Sequence, residues 1–141
     1  MIVIDTNVIS EAFRPQPAAQ VVAWLQALTG DVAITAVTYA ELLAGVRHLP
    51  QGRRRTTLGV AIDSALQSHR DTQAILPFDH LAAPHYADIL AVREKAGLPI
   101  STADAQIAAI CRAHAAACAT RNARDFAHTG IDLIDPWSTR P

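Results

Sequence analysis

Four acidic side chains fall where they could act together: Asp5 in IVIDTNV, Glu41 in TYAELLAG, Asp104 in STADAQIAAIC and Asp125 in TRNARDF. Each has an ordinary explanation when taken alone. Asp5 directly follows a short apolar run and can cap a following turn by accepting from its amides. Thr38 with Glu41, and Ser101 with Asp104, have capping-box spacing, and Asp125, three residues after Asn122, suits a turn or a helix start. Their surroundings ask for more than caps. Thr6 and Asn7 add polar groups beside Asp5 that a simple cap does not need. Glu41 borders the apolar stripe of Tyr39, Leu42, Val46 and Leu49, and Gly45, one turn further on, leaves space above its carboxylate. Asp104 shares a helical face with Ile107, Ala108 and Cys111, heading that stripe at a helix N-terminus, where an ionised carboxylate is favoured. Carboxylates gathered at one place raise one another's pKa unless a cation joins them. All-oxygen donors select a hard ion such as Mg²⁺ or Mn²⁺. Such an ion turns water into a nucleophile and neutralises charge on a phosphodiester.

Elements that could deliver these acids can be read from the pattern. MIVI is a run expected of a buried parallel strand. Pro15 and Pro17 mark a loop. AAQVVAWLQAL has helical spacing and stops at Gly30. VAIT reads as a second strand, VTYAELLAGVRHL as a helix ended by Pro50 and Gly52, and residues 53–70 as another helix. AILPF is a third strand, residues 80–96 a helix ended by Gly97 and Pro99, TADAQIAAICRAHA a further helix, and ACAT and IDLI the last strands. Strands alternating with helices predict an α/β fold with a parallel sheet between helical layers. Ligands in such sheets sit beyond the carboxyl ends of the strands, and at least three of the acids fall just past a strand or on the helix after it.

Bulk properties exclude several classes. With 141 residues, half of them apolar, the expectation is one globular domain, residues 1–141. A net charge of −1 gives no global grip on nucleic acid, although a local patch remains open. Two cysteines, Cys111 and Cys118, are too few for a disulfide framework or a structural zinc site and read as buried thiols in a reducing compartment. The opening strand leaves no secretory segment, and Arg112 and His114 interrupt the most apolar run, so neither export nor a membrane span is expected and the cytoplasm follows. His48, His69, His80, His85, His114 and His128 show no zinc spacing, and GxSxG, P-loop and GxGxxG motifs are absent. Trp24 and Trp137 read as core or interface anchors.

The stretches IVIDTNV, TYAELLAGV, STADAQIAAI and ATRNARDF resemble the four acidic signatures of the PIN domain, and most of all the FitB-like subgroup of VapC-type toxins. LPQGRRR, the run from FD to AGLPI and the closing DPW also match, so the resemblance spans nearly the whole chain. It implies a three-layer α/β/α sandwich around a mainly parallel sheet and an endoribonuclease dependent on Mg²⁺ or Mn²⁺. By position, Asp5, Glu41 and Asp104 would bind the metal, and Asp125 would complete the catalytic acids. Some members carry Asp where this chain has Asn122, so only Asp125 can supply the fourth charge. Thr6, Asn7, Thr102 and Asn122 would orient carboxylates or water. The resemblance further implies RNA as substrate, a VapB-like antitoxin, a homodimer or a larger toxin–antitoxin oligomer, and operator DNA bound through the antitoxin.

Arg93 and Arg121 flank the acidic segments and are the candidates to meet RNA, whereas Arg53, Arg54 and Arg55 read as a solvated helix face. The alternative within the same fold is a non-catalytic module that binds RNA or protein. Such domains usually lose core acids, and this chain keeps all three. A dehalogenase-like phosphatase needs a second Asp where Asn7 stands, and Lys95 is its only lysine; a receiver domain fails on the same grounds.

Overall fold

The computed structural model describes residues 1–138. Its strands are β1 (Ile2–Ile4), β2 (Val32–Thr35), β3 (Ile75–Leu76), β4 (Ala117–Ala119) and β5 (Leu133–Ile134). Its helices are α1 (Thr6–Ala12), α2 (Ala19–Ala27), α3 (Ala36–His48), α4 (Arg53–Asp71), α5 (Ala83–Lys95) and α6 (Thr102–Ala113), with a 3-10 turn over Ala123–Phe126. The strands form one sheet in the order β3-β2-β1-β4-β5, with every pairing parallel. The expected α/β class and α/β/α layering are borne out.

Two-residue alternation within the short strands builds the layers. Val3, Ala33 and Cys118 are paired neighbours across the sheet and pack with Ile89 of α5 and Ile107, Ala108 and Cys111 of α6. Ile4 and Ile34, one residue on, pack on the opposite face with Val8 and Ile9 of α1, Val21 of α2, Leu42 of α3 and Ile62 and Leu66 of α4. Burial on both faces explains why these strands read as continuous apolar runs.

The structure departs from the sequence reading in three places. Residues 6–12 form a helix, which had no assigned element; Asp5 is its N-cap, with Thr6 N donating to Oδ1 at 2.8 Å. The capping box expected of Thr38 and Glu41 does not form, because α3 starts three residues earlier: Thr35 is the cap and its hydroxyl accepts from Thr38 N at 3.0 Å. The third strand is confined to Ile75–Leu76, since Pro77 has no N–H to continue the ladder. Elsewhere the stop signals act as read. α5 ends at Gly97, whose φ of +68° lets Leu98 N reach back to the Arg93 carbonyl at 2.9 Å.

Strand order reverses at β1, which has β2 on one side and β4 on the other. Chain crossing over in opposite directions from a central strand leaves a crevice at its carboxyl end. Asp5 is the first residue past that end.

Candidate metal-binding active site

Asp5 is built in from both sides. Its backbone N–H donates to the Ala119 carbonyl at 2.9 Å, continuing the β1–β4 ladder one residue beyond the strand. Oδ1 caps α1, and Oδ2 accepts from the hydroxyl of Thr120 at 2.8 Å. Only 4% of Asp5 is exposed. Burial is the main cause pushing its carboxyl above the ordinary Asp value; the bonds from Thr120 and Thr6 N pull it down, and the charges of Asp104 and Glu41 push it up again.

Thr120, wholly buried, is a site residue that the sequence reading missed. Besides donating to Asp5, its oxygen accepts from Asn7 Nδ2 at 3.3 Å and from Asn122 N at 3.0 Å. Asn7 in turn accepts from Arg121 N at 3.3 Å. The start of α1 and the loop after β4 are thereby joined through one hydroxyl. A signal was present: threonine closes both VAIT and ACAT, at the strand-end level where Asp5 follows β1.

Glu41 lies one turn into α3, exposed, with Oε1 2.8 Å from Thr6 Oγ1. Thr6 Oγ1 also lies 3.0 Å from Thr38 Oγ1. A hydroxyl has one hydrogen and an ionised carboxylate only accepts, so Thr6 donates to Glu41 and Thr38 donates to Thr6. Thr38, fully buried, therefore steadies Glu41 at one remove, a role the expected capping box had hidden.

Asp104 sits in the first turn of α6, where Ser101 is the N-cap and accepts from Asp104 N at 3.1 Å. Partial burial is the leading cause that raises its carboxyl pKa. The Ser101 hydroxyl opposes it, Asp125 and Glu41 add repulsion, and Arg93 offsets part of that. Asp125 is exposed on the 3-10 turn. The four predicted acids are thus electrostatic neighbours: Asp5 responds to Glu41 and Asp104, and Asp104 to Glu41 and Asp125.

Other expected residues divide. Thr6 and Asn7 orient site groups as described. Asn122 is exposed and contributes its backbone N–H to Thr120. Thr102 is exposed and makes no side-chain hydrogen bond among the described residues, so the structure gives it no orienting role. Arg121 is exposed, with its guanidinium 4.9 Å from the Trp137 ring centroid. Arg93 is a correction: it is 4% exposed and its guanidinium is taken up by backbone carbonyls, so it is not a surface group awaiting RNA. Arg53 and Arg54 are exposed, as a solvated face requires.

A PIN-domain family model matches residues 2–132. The chain belongs to the PIN-domain family. Among the relatives of this PIN domain is the VapC ribonuclease Y4jK of Sinorhizobium fredii, 38% identical, with 97% of this chain and 98% of the relative covered. Toxin FitB of Neisseria gonorrhoeae is 39% identical over 97% of this chain and 99% of the relative. A solved structure of FitAB bound to a DNA fragment contains a chain that superposes with a TM-score of 0.89 at 38% identity, covering 100% of this chain and 99% of that one. The PIN domain has no helix, among the described residues, long and apolar enough to cross a membrane.

Divalent metal chemistry can be tested against the residues present. Among the described residues, no three His, Cys, Asp or Glu side chains stand close enough together to hold one ion. The acids are grouped without being drawn in to ligand spacing, as expected of like charges sharing a site. Mg²⁺ is commonly held through one or two carboxylates and several waters, so a converged triad is not a requirement. Hard oxygen donors, two carboxyls whose pKa is raised chiefly by burial and further by neighbouring acids, and hydroxyls fixing Asp5 and Glu41 all suit such an ion.

Proposed function

We propose that this PIN-domain chain, residues 1–141 acting as one nuclease domain, is an endoribonuclease dependent on Mg²⁺ or Mn²⁺ and the toxin of a VapBC-type pair. The observation that carries this reading is the placement of Asp5 at the sheet's switch point, with Glu41 and Asp104 close enough to push its pKa up. Relatives named as a VapC ribonuclease and a FitB toxin support it.

In this reading Asp5, Asp104 and Glu41 would hold the cation, in part through its bound waters, with Asp125 at the rim. The ion supplies neutralisation of phosphodiester charge and activation of water. The protein's own work is orientation. Thr120 and Thr6 N fix both oxygens of Asp5, so the carboxylate cannot rotate away. Thr6 engages Glu41 Oε1, which leaves Oε2 to bind the cation or orient the attacking water. Arg121, stacked on Trp137, meets a backbone phosphate of the RNA. The structure of FitAB bound to DNA supports a VapB-like antitoxin as partner and operator DNA reached through it; a homodimer or larger toxin–antitoxin oligomer is the assembly this reading expects. Cytoplasmic RNA is the substrate pool.

A non-catalytic PIN module would keep the fold without metal-dependent cleavage. Asp5→Asn separates the two: RNA cleavage should fall to background with the thermal unfolding profile retained, and cleavage at the wild-type rate would remove the proposal.

A further inference from the structure

Arg93, expected at the RNA surface, lies inside the protein, and its partners are unusual for a buried cation. Nε donates to the Leu98 carbonyl at 3.0 Å and Nη2 to the Pro99 carbonyl at 2.9 Å. Nη1 donates to the Ala127 carbonyl at 2.7 Å, with the Arg124 carbonyl at 3.4 Å. No salt bridge to a carboxylate satisfies it among the described residues. A buried charge is costly unless fully bonded, and here the bonding falls entirely on the backbone of two segments.

Those segments are the ones that end at the acids. Residues 98–101 lead into the Ser101 cap of α6, and Asp104 stands three residues inside that helix. Arg124 and Ala127 bracket Asp125 on its 3-10 turn. A guanidinium is planar and rigid, with donors at fixed angles. Bonding Leu98 and Pro99 on one side and Ala127 and Arg124 on the other therefore sets the separation of the two backbones. The Leu98–Arg93 contact is reciprocal, since Leu98 N also donates to the Arg93 carbonyl at 2.9 Å, which anchors the clamp to the end of α5. A lysine offers its donors from a single point and cannot span both sides.

We propose that Arg93 is a positioning residue: its guanidinium staples the approach to α6 to the turn after β4 and so holds Asp104, and Asp125 at the rim, in place around the divalent cation. This rests on the nuclease reading above. It assigns Arg93 an effect on metal affinity and none on RNA contact. Groups that orient metal ligands at one remove typically change affinity by about 10–100-fold when lost.

The test uses the full chain with Arg93→Met and Arg93→Lys. Mn²⁺ binding is measured by electron paramagnetic resonance of the free ion, and kcat and KM on a fluorophore–quencher RNA oligonucleotide over a Mn²⁺ series. For Arg93→Met the expectation is Mn²⁺ binding weakened by about tenfold or more. Activity should be partly recovered by added Mn²⁺, and the KM for RNA should stay within about twofold of wild type at saturating metal. Arg93→Lys should fall between, and it carries the comparison should the Met variant not fold. Unchanged Mn²⁺ affinity in a folded variant would overturn the clamp. So would a raised RNA KM with a shallower salt dependence, the signature of a phosphate contact. A wild-type protein that binds no Mn²⁺ would bring down the nuclease reading and the clamp with it, whereas wild-type binding with unaltered variants sinks the clamp alone.

Discussion

Thr120→Val is the most informative single substitution, because it removes one hydroxyl and little volume from a fully buried position. The lost bond runs to Asp5 Oδ2 at 2.8 Å, and the same change leaves Asn7 Nδ2 and Asn122 N without their acceptor. A hydrogen bond to a charged group is worth about 1.5–3 kcal/mol where water cannot replace it. Unfolding entropy of about 2.1 cal/mol/K per residue, over a chain of 141 residues, makes each kcal/mol worth about 3 °C, so the melting temperature should drop by about 5–10 °C at neutral pH. The pH dependence is the sharper check. Thr120 is the strongest influence holding the Asp5 carboxyl down, so its loss moves an already raised pKa further up. The folded variant then retains a proton over a range where the wild type has lost it. Its stability deficit should be smallest in acid, near the ordinary Asp value of 3.8, where the stranded Asn7 and Asn122 donors account for most of it, and grow as pH rises toward neutrality. Thermal unfolding of metal-free wild type, Thr120→Val and Thr120→Ser from pH 4 to 8 reads this directly. A deficit equal at all pH values, or a Ser variant as damaged as the Val variant, would refute the reasoning.

Asp104→Asn should raise the melting temperature of the metal-free protein at neutral pH, because it deletes a charge disfavoured by burial and by Asp125 and Glu41; the gain should vanish in acid, where Asp104 is protonated anyway. The same variant should lose Mn²⁺-dependent stabilisation, seen by unfolding with and without the ion. Thr6→Val should lower kcat for RNA cleavage by more than its about 1 kcal/mol effect on stability suggests, since it frees Glu41 while leaving the Asp5 cap intact. Arg121→Ala should raise the KM for RNA and flatten the dependence of log KM on log salt by about one unit, with metal affinity unchanged.

Much of the architecture was legible because the signals are local and mutually consistent. Apolar β-branched runs bounded by Pro50, Gly30 and Gly97 fix strands and helix ends through backbone sterics that tertiary contacts reinforce. The short helix after Asp5 escaped because an acid followed by Thr and Asn reads equally as a turn, and only the packing of Val8 and Ile9 against the sheet decides for a helix. Among site residues, the carboxylates stood out since carboxylates are conspicuous behind strands. Thr120 did not, because a buried threonine at a strand end reads as packing until its hydroxyl partner, 115 residues away, is known; Thr38 did not, because its three-residue spacing to Glu41 read as a capping box. Arg93 failed for the converse reason. Charge suggests the surface, and no sequence pattern announces that four backbone carbonyls will converge on it.

The central claim is that carboxylates from the end of β1, α3 and α6 together bind one divalent cation, in part through its waters, and that this binding permits RNA cleavage. Isothermal titration of the full chain with Mn²⁺, alongside Asp5→Asn and with RNA cleavage followed in the same buffers, addresses it most directly. The account predicts saturable binding by the wild type, cleavage that rises over the same Mn²⁺ range, and loss of both in the variant. Cleavage that persists in chelator, or equal Mn²⁺ binding by wild type and Asp5→Asn, would contradict it.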